Sequence, residues 1–225
     1  MIVDIIIVLL LISGFITGYK RGFIKQAIST IGLIVIVVLA FLLKNNLSII
    51  LYKKCPFFTI GLLKNYSSLN ILVYELISFF ILFFIFSIIL KIIIKIIGKV
   101  EDILEDSSVL KIPLKIFGGV LGTIEVYVSL FIILLFLSLP IFGISNFIYE
   151  SKLKDNILNN TFLISNISKP LVKSIDQIKE LEIQKNIGKK EFNCETIEIF
   201  KKNNIISEKS IKYLKDHNKL NIDCE

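Results

Sequence analysis

Over residues 1–142 the chain alternates long apolar blocks with short polar joints. Four blocks stand out, at about 2–17, 23–43, 69–97 and 114–142. Each approaches or exceeds the ~20 apolar residues that a helix needs to cross ~30 Å of hydrocarbon. At that depth no water can satisfy backbone N–H and C=O groups, so helices are the predicted elements. The first block has no basic leader and no small-residue cleavage site, and is read as a retained span rather than a signal peptide. Past residue 142 apolar residues recur at helical spacing among charges, as in Ile157, Leu158 and Phe162, then Leu171, Ile175 and Ile178. A helix over about 195–202, a break at Asn203-Asn204 and a second helix capped by Ser207 are predicted there, with Ile206 and Ile211 as a hydrophobic staple. The expected fold class is an all-α membrane protein, with four transmembrane helices in residues 1–142 and a small helical extramembrane C-terminal tail in 143–225.

The joints carry the basic residues. The turn GYKRGFIKQAIS (18–29) holds Lys20, Arg21 and Lys25, and Gly18 and Gly22 let the backbone reverse within a few residues. The connection between the third and fourth spans holds Lys91, Lys95, Lys99, Lys111 and Lys115. The 44–68 connection holds Lys44, Lys53, Lys54 and Lys64. Eight basic residues against four place the first two joints in the cytoplasm by the positive-inside rule, with both the N-terminus and the tail outside.

Within the spans, small and acidic residues set the chemistry. Helices in lipid associate by close packing, which needs small side chains. Gly14 and Gly18 stand four apart, as do Gly118 and Gly122, with Gly119 beside them. These are read as helix-packing glycines. Gly118, Gly122, Glu125 and Ser129 form one stripe, with Glu125 about ten residues into its block and so roughly 15 Å deep. An acidic group near the bilayer centre costs on the order of 2.5–3.5 kcal/mol, so Glu125 is expected to face protein or water. The polar face of the second span (Gln26, Ser29, Thr30) is its expected partner; a polar path is the alternative. Glu75 follows Ser67, Ser68 and Asn70, which resemble N-cap residues, and is read as interfacial. Glu101, Asp102, Glu105 and Asp106 are read as a solvated linker.

Composition adds a few limits. The chain has 225 residues, 54% of them hydrophobic, and a formal charge of +7. With no basic-plus-aromatic module, nucleic acid is not an expected partner. The cysteines, Cys55, Cys194 and Cys224, with the single histidine His217, form no zinc signature, so no metal and no cofactor is expected. No nucleophile–base grammar accompanies His217, and no catalytic residue is assigned. Cys194 and Cys224 would both lie outside the cell in the predicted topology and are the candidate disulfide.

Asp4 before IIIVLLLISG, then GYKRGFIKQAIST, and later LKIFGGVLGTIEVYVSLFIILLFLSLP together resemble the colicin V production protein (CvpA) family of bacterial membrane proteins. The resemblance covers about residues 1–142. It aligns Gly18, Arg21, Gly22 and Phe23 with the family's basic turn, and Gly118 and Gly122 with the glycines of its last span. Glu125 departs from the family pattern, so the resemblance assigns it no role. What the resemblance implies is a non-enzymatic multi-pass protein of the plasma (inner) membrane, acting as an accessory or scaffold in toxin production or export and in envelope homeostasis. Its expected partners are the lipid bilayer, an unidentified membrane or envelope protein, and a second copy of the chain. The alternative is a small oligomeric channel or transporter using Glu125.

Overall fold

The computed structural model describes residues 2–59, 62–104, 111–138, 151–160, 165–183, 187–217 and 219. The described residues form helices only: α1 (Ile2–Arg21), α2 (Phe23–Lys54), α3 (Leu62–Asn65), α4 (Leu69–Leu104), α5 (Lys111–Leu137), α6 (Lys152–Asn160), α7 (Ser165–Ile183), α8 (Lys189–Lys202) and α9 (Glu208–Asp216). Among the described residues, α1, α2, α4 and α5 are long and apolar enough to cross a membrane.

The helix ends follow from local chemistry. α1 stops at Arg21 because Gly22 takes a left-handed φ of 88°, which a side chain would resist. Lys20 and Arg21 occupy its last turn, where the helix dipole favours cations. α2 begins at once, and the Gln26 N–H bonds the Gly22 carbonyl at 3.2 Å. The second span was expected to end at residue 43, but α2 continues for three more turns to Lys54. Lys44, Asn45 and Asn46 are polar, yet none of them breaks a helix. The helix ends at Pro56, whose ring disfavours helical backbone at Cys55. α5 carries Pro113 in its first turn, where the missing N–H is harmless.

The chain packs as two compact units that cut across the sequence division at residue 142. The first contains α1, residues 23–39 of α2, residues 83–104 of α4, α5 and α6. α1 and α5 pack along their length, and α6 lies against both. Ile7, Val128, Phe131 and Ile157 are buried in this unit. Phe84, Ile88, Ile92 and Ile96 of α4 recur every four residues and are more than half exposed. In hydrocarbon such a stripe carries no cost.

The second unit contains residues 40–54 of α2, α3, residues 69–82 of α4, and α7–α9. Most of the expected extramembrane tail therefore shares one core with the ends of two membrane helices. Tyr52, Leu72, Tyr74, Ile178, Phe192, Phe200 and Leu214 are each at most 2% exposed. The break after α8 ties this core together. Asn203 donates from Nδ2 to Ser174 Oγ and Gln177 Oε1 of α7, both at 2.9 Å. Asn204 then takes a left-handed φ of 54°. Ser207 caps α9, accepting from the Ser210 N–H at 3.1 Å, with Ile206 and Ile211 buried on either side of the cap.

Candidate functional site

The glycines of α1 and α5 meet one another. A Cβ added to Gly14 would sit 2.8 Å from the Gly122 carbonyl oxygen, and one on Gly118 would sit 2.8 Å from that of Gly18. At Gly18 a Cβ would run into the Gly118 carbonyl, and at Gly122 into that of Gly14. Gly119 faces the Phe15 ring instead, at 2.7 Å from an added Cβ. The two backbones approach so closely that only hydrogen fits between them, which is how helices associate in lipid without polar groups. Val126 lies near Gly14, Gly122 near Gly18, and Gly118 near Gly22, so the helices run antiparallel.

The same register brings the start of α5 to the basic turn. Phe117 packs edge-on against Phe23, and the Lys115 ammonium lies 6.0 Å from the Tyr19 ring centroid. The 18–29 turn and the start of α5 are therefore at one end of this unit. Lys20 and Arg21 are exposed there and Lys25 is half-buried.

Glu125 sits beneath that turn. Its carboxylate accepts from Gln26 Nε2 and from Ser29 Oγ at 3.0 Å, and lies 3.7 Å from the Arg21 guanidinium. Thr30 donates to the Leu121 carbonyl at 3.1 Å, extending the α2–α5 contact by one turn. Gln26 and Ser29 are three and six residues into α2, or about 4.5 and 9 Å from its start at 1.5 Å per residue. Glu125 is thus level with the first two turns of α2. The Gln26 side chain is buried, and its Oε1 has no protein partner among the described residues.

The second unit holds a polar cluster of another kind. Lys44 and Glu75 form an ion pair at 2.6 Å, with side chains 7% and 3% exposed. The ammonium also donates to Asn45 Oδ1 at 2.9 Å and to the Ile205 carbonyl at 3.0 Å, so its three hydrogens have three acceptors. Glu75 in turn accepts from Ser48 at 2.6 Å and Tyr52 at 3.1 Å. A buried pair persists only when its remaining hydrogen bonds are filled in this way. The Ile205 carbonyl comes from the α8–α9 link, so the pair joins α2, α4 and the tail.

Glu75 is expected at the interface and Lys44 in the 44–68 connection; the structure buries the two against each other, with Lys44 inside α2. The missed signal is Lys44, Ser48 and Tyr52, a polar row spaced by four residues, as on one helix face. Ser68 was read as N-cap material for α4. Its N–H and Oγ instead donate to Asn193 Oδ1 of α8, at 3.0 and 2.8 Å. Lys219 donates to the Tyr52 and Cys55 carbonyls, and the Lys53 ammonium lies 5.3 Å from the Tyr213 ring centroid.

Cys194 in α8 is disulfide-bonded and Cys55 is a free thiol. Cys224 lies outside the described residues, as do Glu105 and Asp106. Among the described residues no group of three His, Cys, Asp or Glu side chains could hold a metal ion. His217 is exposed, with Nδ1 beside the Tyr213 carbonyl at 3.0 Å and its ring stacked on Tyr213.

Asp4, an acid in the first turn of an apolar helix, also has a use. Its carboxylate accepts from Ser151 Oγ at 2.7 Å and from the Leu153 N–H at 3.2 Å. Ser151 in turn accepts from the Lys154 N–H at 3.1 Å. The start of α6 is capped twice and fixed to the start of α1.

Residues 3–161, the stretch from this anchor through the four spans to α6, match the family model described as colicin V production protein. The chain is also 34% identical, over 173 residues, to an uncharacterized transmembrane protein, YshB, of Bacillus subtilis (strain 168), covering 75% of this chain and 96% of that one. No solved structure matches. Four apolar helices, a basic glycine turn between the first two, a glycine-lined crossing of the first with the last, and a family match that spans all of them lead to one conclusion: the chain is a multi-pass membrane protein and belongs to the colicin V production protein family.

Proposed function

We propose that this protein is a non-enzymatic accessory or scaffold of the bacterial inner membrane, serving toxin production or export and envelope homeostasis, with its tail presented outside. The observation that carries the reading is the tail's attachment. α7–α9 are cored onto the ends of α2 and α4 through Asn193, Lys219 and the Lys44–Glu75 pair. A rigid extramembrane platform fixed to membrane helices is what a docking protein needs. Ser29 and Glu125, and Lys44, Ser48 and Glu75, serve one another within the spans, which also fits a scaffold better than a reaction centre.

The orientation rests on charge and on sulfur chemistry. Lys20, Arg21, Lys25 and Lys115 gather at one end of the first unit, and positive-inside bias puts that end in the cytoplasm. Lys44, counted at the opposite side by sequence, is buried in α2 and drops out of that count, which sharpens the bias. Four spans then return the tail to the outside. A disulfide at Cys194 fits that oxidising side. With Cys55 free, its partner under this proposal is Cys224.

The test combines topology and phenotype. Single cysteines at Lys53, Asp106 and Lys209, on a cysteine-free background, are labelled in intact cells with an impermeant reagent. Labelling at 53 and 209 but not at 106 is expected; labelling at 106 alone overturns the orientation. A deletion strain is expected to lose toxin release and to gain sensitivity to envelope stress, both restored by the parent gene. Unchanged release and unchanged sensitivity would remove the scaffold reading. Glu125, whose carboxylate is shared by Gln26, Ser29 and Arg21, is expected to tolerate Glu125→Gln without a change in ion flux.

A further inference from the structure

Beside the Lys44–Glu75 pair, the second unit has a cavity of about 720 Å³, within the range of roughly 300–1,000 Å³ common for small-ligand sites. Lys201 at the end of α8 and Lys212 and Lys215 of α9 line it. None of the three is in an ion pair among the described residues. Glu208 and Asp216 also line it, so three ammonium groups face two carboxylates and positive charge is in excess. Ile206 and Ile211 add apolar surface.

Two features fix the cavity in place and in height. Asn45 lines it from α2, and its Oδ1 is held by the Lys44 ammonium, which leaves the amide nitrogen as the available donor. Asn204 and Ile206 line it from the α8–α9 link, whose Ile205 carbonyl is held by the same ammonium. The buried ion pair therefore braces two walls at once. The apolar run 23–43 of α2 is about 31 Å long at 1.5 Å per residue, the thickness of the hydrocarbon core. Asn45 follows that run, so by length alone α2 reaches headgroup height at this wall of the cavity.

We propose that this cavity binds the phosphate-bearing headgroup of an anionic phospholipid, held by Lys201, Lys212 and Lys215. A site at headgroup height with an excess of unpaired lysines and an apolar margin matches the chemistry of such a lipid: a phosphate anion at the surface with acyl chains below.

The full chain, purified in zwitterionic detergent, is titrated with fluorescent phosphatidylglycerol and, separately, with fluorescent phosphatidylcholine. Phosphatidylglycerol is expected to bind the parent more tightly. K201Q/K212Q/K215Q is expected to lose at least tenfold in affinity for it, whereas K54Q/K64Q/K190Q, exposed lysines elsewhere in the unit, keeps the parent value. All six lysines are exposed, so both variants are expected to retain the parent's thermal unfolding midpoint. Equal loss in both variants, or no loss in the first, overturns the site. Inorganic phosphate is the second probe. If it binds the parent but not K201Q/K212Q/K215Q, while phosphatidylglycerol affinity is the same in both, the site takes soluble phosphate and the lipid reading falls.

Discussion

The two compact units hold apolar helices together by opposite means. In the first, α1 and α5 meet through Gly14, Gly18, Gly118 and Gly122, where side chains are absent and backbone touches backbone. In the second, α2, α4 and the tail meet through Lys44 and Glu75, two charges buried with every hydrogen bond filled. The first contact gains from dispersion and close approach, and is sensitive to added volume. The second gains little over an apolar isostere, because desolvation offsets the attraction, and is sensitive to loss of one partner. Where one contact gives a close fit, the other gives a register: the pair's own bond and four more tie α2, α4 and the α8–α9 link together.

The contrast breaks most sharply at Gly18. Gly18→Leu drives a side chain into the Gly118 backbone, which cannot yield unless α1 and α5 separate. Overpacking usually costs about 1–3 kcal/mol, and more where the obstacle is backbone. No folded protein is expected, read as loss of a monodisperse species in detergent. Next comes the ion pair. Glu75→Ala or Lys44→Ala leaves one buried charge alone and is expected to cost about 3–5 kcal/mol. The double variant K44M/E75L is expected to recover most of that loss in thermal unfolding, yet to leave the tail more open to limited proteolysis. If the double variant holds the tail as the parent does, the pair does not set its register.

Two smaller effects sharpen the comparison. Ser151→Ala removes a buried cap from α6 and is expected to cost about 1 kcal/mol, seen as faster hydrogen exchange confined to 152–160. Arg21→Ala removes a contact of 3.7 Å from a half-exposed side chain. Such a pair is worth about 0–1 kcal/mol, so the unfolding midpoint should hardly move. Loss of function in that variant, with topology and expression unchanged, would assign Arg21 to docking rather than to packing.

Much of the architecture was legible in the chain itself. Four spans followed from block length, because hydrocarbon thickness sets a minimum run of apolar residues. The turn at Gly22 and the glycines at 14, 18, 118 and 122 were legible because spacing by four is a local property of a helix. So were the Asn203-Asn204 break and the Ser207 cap. The sequence also paired Glu125 with the polar face of α2, and Gln26 and Ser29 do bond it; it did not pair the faces of the second unit. Lys44 and Glu75 are 31 positions apart, and Lys44 and Ile205 161. Nothing local to the Lys44 or Glu75 block marks either residue as the other's partner. Nor could the block edges give the register of α5 along α1, which the meeting of their glycines decides. The sequence by itself determined how many helices cross and where they turn, because burial of backbone polar groups is a local demand. Only the tertiary structure decided that α7–α9 share a core with the ends of α2 and α4, because a buried charge must find its partner wherever in the chain that partner lies.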